Sequence, residues 1–262
     1  MIKQFFSGIS AYGNALNLLS KLKLWKYFFV PILISFFTGA LFFTAAYFAS
    51  APIGRFIAKA WIWEWGAEGF LSVSIFIGGL LVFAVGLILY KHVVMALSAP
   101  FMSPVSEKIE AYMTGTAHHN HRKTSFAAQL IRGLRINMRN LLKELLFMIP
   151  LLILSFIPII GIIGTFLIFI MQAYYVGFGN MDYTMERHFG YKESLHFVKK
   201  NRGTAMGNGA VFIVMLFIPV LGFIITLPIA VVAATTEMVK LLQKENLINI
   251  ATNTTVDTLQ NK

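Results

Sequence analysis

The sequence predicts an all-α integral membrane protein, with two long transmembrane helices and two Pro/Gly-tipped re-entrant (half-penetrating) helical hairpins. Three observations predict this class. The 262 residues are 57% hydrophobic and only 13% charged, against roughly 25% charged in an ordinary soluble domain. The apolar residues gather in four charge-free windows, 27–54, 69–90, 145–181 and 203–236. The last two windows also carry the same interruption, F-I-P-x-x-G, at their centres. A mean hydropathy of +0.71 excludes a pair of soluble domains, a disordered chain and a collagen-like fibre.

The whole chain, 1–262, reads as one membrane domain. In residues 1–25, Ile2, Phe5, Phe6, Ile9, Leu16 and Leu19 fall near helical spacing, opposite Lys3, Gln4, Ser7, Asn14 and Asn17. That pattern predicts an amphipathic helix lying on the bilayer interface. Window 27–54 follows; at about 1.5 Å per residue it crosses a hydrocarbon core of about 30 Å with tilt to spare. Ala49-Ser50-Ala51 fits a signal-cleavage pattern, but the apolar run before it is far longer than the ~7–15 residues of a signal, so an uncleaved span is expected. Trp61, Trp63 and Trp65 then suggest an aromatic belt at the opposite interface. The second span is expected over 69–97, its helical pattern running past Lys91 until Ser98-Ala99-Pro100 interrupts it.

Windows 145–181 and 203–236 hold 37 and 34 residues. Each is too long for one span and short for two spans of about 20 residues plus a turn. Phe156-Ile157-Pro158-Ile159-Ile160-Gly161 and Phe217-Ile218-Pro219-Val220-Leu221-Gly222 lie 61 residues apart, a short internal repeat. Pro158 and Pro219 end the incoming helix, and Gly161 and Gly222 permit the turn. Each window therefore reads as a helical hairpin whose tip enters the bilayer without crossing it, with four ordinary short spans as the alternative. Backbone freed at such a tip must be buried in protein or line a cavity. Residues 245–262 form a polar tail.

Charge sets the orientation. Lys3, Lys21, Lys23 and Lys26 precede the first span with no acid among them, whereas the loop 55–68 balances Arg55 and Lys59 against Glu64 and Glu68. Segment 91–144 carries eight basic and three acidic residues, and 182–202 five and three. The basic excess places both termini in the cytoplasm. In such a chain the net charge of +11 reads as topology and attraction to anionic membrane lipids, not as nucleic-acid binding.

No catalytic constellation is found. There is no cysteine, no acid inside any window, no P-loop and no G-x-S-x-G elbow, so no enzyme, no cofactor and no proton relay is expected. His118, His119 and His121 lack a nearby carboxylate and match no zinc spacing; they read as a solvated loop, and no metal site is expected.

Features suited to anions are better represented. Arg132, Arg135 and Arg139 share one helical face, with Lys143 four residues on; arginine forks suit oxyanions or lipid phosphates, and a basic juxtamembrane helix is the alternative. Arg202, Gly203 and Thr204 open the second hairpin, where free N–H groups flanked by cations can hold an anion, although Gly203-x-x-x-Gly207 also serves close helix packing. Lys23 and Lys26, with Lys21, stand where the first span begins and serve either an anion or interfacial anchoring.

The chain resembles the CysZ family of bacterial sulfate permeases, whose superfamily includes the eukaryotic etoposide-induced membrane proteins. The resemblance rests on Ala99-Pro100-Phe101 with Ser106-Glu107-Lys108-Ile109-Glu110 and Thr114-Gly115; on Phe156-Ile157-Pro158 with Gly161; on Asp182-Tyr183 with Arg187; and on Ile218-Pro219 leading to Pro228-Ile229-Ala230-Val231 and Ala234-Thr235. It covers residues 20–240. It implies two spanning helices with two half-penetrating hairpins, a homo-oligomer in the inner membrane, and passive entry of sulfate or a similar oxyanion for sulfur assimilation and cysteine biosynthesis, without nucleotide hydrolysis. The family often carries Gly-hydrophobic-Arg-Arg before the first span as an oxyanion site. Here those positions are Lys23, Leu24, Trp25 and Lys26, which keep charge but lose the bidentate fork. The expected function is thus a passive anion permease. The alternative is a non-transporting membrane scaffold or anionic-lipid-binding protein that uses the same basic faces.

Overall fold

The computed structural model describes residues 1–115, 125–155, 160–218 and 221–248. Among them it has nine α-helices and no strand: α1 (Ile2–Ser10), α2 (Ala15–Lys21), α3 (Phe29–Ala58), α4 (Ala67–Thr114), α5 (Phe126–Ser155), α6 (Ile160–His188), α7 (Tyr191–Lys200), α8 (Arg202–Leu216) and α9 (Leu221–Lys244). Four of these, α3, α4, α6 and α9, hold segments long and apolar enough to cross a bilayer. They differ in what surrounds them. In α9, 78% of the most apolar stretch is buried by other helices, against 22% for the α3 segment and 18% for α4. α9 is therefore a central helix, while α3 and α4 turn Phe37, Leu41, Phe43, Phe48, Phe76 and Leu80 outward.

α3 and α4 pair closely because small residues let the backbones meet: a Cβ on Gly54 would lie 2.4 Å from the Ile75 Cα, and one on Gly78 2.8 Å from the Gly54 nitrogen. The turn between them stacks Trp61 on Phe70 at 4.8 Å, with Trp63 and Trp65 edge-on to Trp61. α4 corrects one expectation. It does not stop at Ser98-Ala99-Pro100 but continues to Thr114 with Pro100 and Pro104 inside it. Each proline removes one intrahelical hydrogen bond, and the packing of α4 against α5 and α6 holds the helix through both positions.

The two long windows are each divided near their F-I-P-x-x-G element, into α5 and α6 and into α8 and α9. Pro158 and Pro219 lie outside the described residues. Gly161 and Gly222 fall in the first turns of α6 and α9. At Gly222 the need for glycine is steric, since a Cβ there would sit 2.2 Å from the Met215 carbonyl oxygen. The tightest crossing joins α6 to α8: a Cβ on Gly177 would lie 1.8 Å from the Ala205 oxygen, and one on Gly209 1.8 Å from the Ala173 oxygen.

The N-terminal segment also departs from expectation. It is not one interfacial helix but α1 and α2 joined by a 3₁₀ turn over Ala11–Asn14. α1 packs on α8, with Gly8 against the Thr204 oxygen, while Leu18 and Leu19 are buried in the core. Ile2, Phe6 and Leu16 remain exposed, so only part of the apolar face is used inward. A second 3₁₀ turn, Leu24–Phe28, leads into α3 from Lys23, whose φ of 51° is left-handed. A non-glycine residue in that region costs roughly 1–2 kcal/mol. Lys23→Gly is expected to stabilise the detergent-solubilised protein by about 0.5–1 kcal/mol, part of the relief being offset by a freer unfolded chain. A lowered thermal midpoint would show that Lys23 makes a contact worth more than its strain.

Candidate functional site

The interior of this apolar protein holds a line of charge. α4 and α5 run antiparallel, so Lys91, His92, Ala99 and Ser103 of α4 meet Glu144, Asn137, Gly133 and Gln129 of α5. α6 lies against both. At one end of this seam Lys91 Nζ donates to Glu144 Oε1 at 2.5 Å, and His92 Nε2 lies 2.9 Å from Glu144 Oε2. All three are buried, at 3%, 2% and 0% exposure. His92 Nδ1 reaches Asn137 Oδ1 at 3.4 Å, and Asn137 Nδ2 donates to the Gly133 carbonyl. Asn140 donates to the Tyr175 carbonyl of α6.

The other end centres on Arg187, near the C-terminus of α6. Its Nε and Nη2 donate to Glu110 Oε2 at 3.1 and 2.8 Å, its Nη2 also to Ser106 Oγ at 2.8 Å, and its Nη1 to the Tyr183 carbonyl at 2.9 Å. His188 Nε2 lies 2.7 Å from Glu110 Oε1. Ser106, Thr184 and Thr235 close a triangle of hydroxyls at 2.8–3.1 Å beside the guanidinium, joining α4, α6 and α9. Between the two ends Ser103 donates to Glu186 and accepts from Gln129. Arg132 grips Asp182 through Nε and Nη2 at 3.0 and 2.8 Å. Burial opposes the Arg132 charge, but the Asp182 carboxylate outweighs it and holds the guanidinium pKa above its ordinary value.

Such a seam is not explained by stability. Desolvating paired charges costs about as much as their attraction returns, and apolar residues of equal volume hold helices together as well or better. In a chain read as a membrane protein, ionisable groups turned to the interior mark a ligand or ion route. Two cavities strengthen that reading. One, of about 350 Å³, is walled by Leu81, Val85, Met148, Ile168 and Phe217, with Lys91 and Gln172 as its polar lining. The other, of about 560 Å³, is lined by His188, Lys192, His196, Lys200 and Glu245. The seam thus meets a cavity at Lys91 and another at His188.

The structure spreads the sequence-derived candidates over four places. Arg132 is committed to Asp182, Ser194 and the Phe189 carbonyl. Arg135 is exposed and stacks over Tyr191 at 4.0 Å; Arg139 bonds Asn140 at the seam's flank. Arg202 is exposed at the start of α8, whereas Gly203 and Thr204 are covered by α1, with the Met1 oxygen 2.5 Å from a Cβ placed on Gly203. That contact uses Gly203 for close helix packing. Lys23 and Lys26 are exposed; Lys26 and Lys108 flank the ring of Tyr27, and Lys21 Nζ donates to Tyr112 Oη at 2.6 Å. His118, His119 and His121 lie outside the described residues.

Comparison with known proteins places this arrangement. The family described as sulfate transporter CysZ/etoposide-induced protein 2.4 matches residues 11–226. The chain belongs to this family. Proteins named sulfate transporter CysZ are similar to it in Pseudomonas fluorescens (31% identity over 154 residues, 58% of this chain and 61% of the relative), in Pseudomonas syringae pv. tomato (33% over 141 residues, 53% and 55%) and in Vibrio parahaemolyticus (30% over 141 residues, 53% and 57%). The chain thus spans between about half and two thirds of the length of these relatives. The CysZ description is that of a transporter and not of an enzyme. All seam residues except Thr235 fall within the matched range.

Proposed function

We propose that this protein is a passive permease for sulfate or a similar inorganic oxyanion in the bacterial inner membrane. The names of the similar proteins support the substrate. The observation that carries the route is the seam between two cavities, one ending at Lys91 and the other at His188. Each cation in the seam is held by a carboxylate, so an incoming oxyanion gains Lys91 or Arg187 only by competing with Glu144 or Glu110. A doubly charged tetrahedral anion competes better than chloride, because it offers several acceptor oxygens to the Arg187 fork and the neighbouring hydroxyls. Flux then follows the substrate gradient.

In this reading α3 and α4 span the bilayer, the two hairpins penetrate it partway, and both termini are cytoplasmic. Two features support it. With 15 residues, α8 reaches only about 22 Å, short of a core of about 30 Å. The end of α8 at Leu216 and Phe217 also shares a cavity with Leu81 and Val85, near the middle of the 69–97 span. The outward apolar faces of α3 and α4 contact lipid or a second copy in a homo-oligomer.

Sealed proteoliposomes of the purified protein test the proposal. Radiolabelled sulfate uptake is expected to be saturable, competed by sulfite, and absent from empty liposomes. No uptake of sulfate, sulfite, phosphate or chloride with insertion verified overturns it. Salt-sensitive binding to anionic liposomes in that case would favour the scaffold, using the exposed Lys21, Lys26 and Lys108.

A further inference from the structure

The cavity at the far end of the seam has a feature that the route itself does not require. Along one ridge of α7, Lys192, His196 and Lys200 recur every fourth residue and line it, with His188 beside them. Glu193 belongs to the same wall but is spent elsewhere, its Oε2 accepting from the Gly190 N–H at 2.7 Å to cap α7. Among the described residues neither Lys192 nor His196 has an ion pair or side-chain hydrogen bond. The opposite wall comes from the turn after α9. There the Leu247 N–H donates to the Leu242 carbonyl and the Asn246 N–H to that of Gln243, with Asn246 left-handed at φ 55°. This is the Schellman arrangement that folds a chain back at a helix end. It presents Glu245 and Leu247 to the cleft, and the Glu245 carboxylate sits 3.0 Å from Lys200 Nζ.

We propose that this cleft is a second oxyanion site, distinct from the seam, in which the Glu245 carboxylate is a tethered and displaceable occupant. The chemistry is that of a small tetrahedral anion such as sulfate or inorganic phosphate. It would bridge Lys192, Lys200 and His196, and release Glu245 to water. Lys200 and Glu245 are 60% and 26% exposed; ion pairs of that kind contribute little and separate readily. The inner wall is His188, which also holds Glu110 of the seam, so occupancy of the cleft acts next to the group that restrains Arg187. The binding claim is independent of transport; only a coupling of occupancy to Arg187 through His188 and Glu110 rests on the permease reading.

The chain has no cysteine, so Leu247→Cys provides a single attachment point for an environment-sensitive dye on the full-length protein in detergent. Sulfate or phosphate, titrated at constant ionic strength against chloride, is expected to give a saturable signal. The pair Lys192→Gln with Lys200→Gln should weaken binding about tenfold or more. Glu245→Gln should tighten it by about threefold, the scale of a surface ion pair removed from competition. Equilibrium binding of radiolabelled sulfate to unlabelled protein checks that the dye has not created the site, and should give the same rank order. An equal response to chloride, unchanged affinity in the double lysine variant, or weaker binding in Glu245→Gln overturns the proposal. A flat response with intact sulfate uptake sinks this site alone; absent uptake with intact, lysine-dependent binding sinks the permease reading alone.

Discussion

Glu144→Ala is expected to destabilise the protein by about 3–5 kcal/mol, the usual cost of stranding a buried charge. Glu144 is fully buried and is the shared partner of Lys91 and His92. Its removal leaves the ammonium facing Met148 and Ile168 in the cavity and leaves His92 with only the long contact to Asn137. The informative variant is the double replacement Lys91→Met with Glu144→Leu. Removing both members of the ion pair and keeping their volume is close to neutral for the pair itself, but His92 Nε2 still loses its partner at about 1–3 kcal/mol, so the double variant should recover part of the thermal midpoint lost in Glu144→Ala. It should nevertheless lose sulfate uptake by at least about tenfold if an anion must exchange with the carboxylate at Lys91. A double variant that is folded and transports normally would remove Lys91 from the route. A double variant as unstable as Glu144→Ala would show that the pair is structural in a way that apolar packing does not replace.

The same residues mark where sequence reading succeeded and where it stopped. Hydropathy windows depend only on neighbours along the chain, so they locate α3 and the first part of α4 but not its run to Thr114, and they divide the later windows where Pro and Gly interrupt them. They also end on Lys91, Glu144, Asp182 and Glu237, the charged residues that bound the windows. All four are buried. The reason is physical: a charge can leave water when another helix brings its partner, and Lys91 and Glu144 are 53 residues apart. No periodicity in either helix encodes that pairing. The one available signal was sign, since a base closes the second window and an acid opens the third. Glu110 and Arg187 were already visible as positions that carry the family resemblance, but nothing local assigned them to each other across 77 residues. Arg132, Arg135 and Arg139 show the converse limit. Their shared helical face is real, yet Asp182, Tyr191 and Phe178 on other helices engage all three.

Arg187→Lys carries the second large effect, because a lysine keeps the charge while removing the geometry. One guanidinium bonds Glu110 twice and Ser106, the Tyr183 carbonyl and the Ser103 carbonyl once each. An ammonium has three donors on a flexible stem and no planar fork, so it serves at most part of that set; Ser106 keeps Thr184 and Thr235 as partners, and the loss falls on the paired bonds to Glu110. A hydrogen bond lost to a buried carboxylate costs about 1.5–3 kcal/mol, and the thermal midpoint should fall accordingly. Arg187→Met should fall further, by about 3–5 kcal/mol, because Glu110 then loses both guanidinium bonds at once. Flux distinguishes a route from a brace. If Arg187 hands an oxyanion past the hydroxyls of Ser106, Thr184 and Thr235, Arg187→Lys should lower the maximal uptake rate and blur the preference for sulfate over chloride, since tetrahedral recognition depends on the fork. If the network only braces α4 against α6, uptake per correctly folded protein should be unchanged and only stability should move. Measuring uptake against the folded fraction, in sulfate and chloride gradients of equal size, separates the two outcomes. The hydroxyl triangle provides an internal control: Thr184→Val keeps the shape and removes one hydroxyl of three, and on the route reading it should shift anion preference in the same direction as Arg187→Lys with a smaller loss of stability.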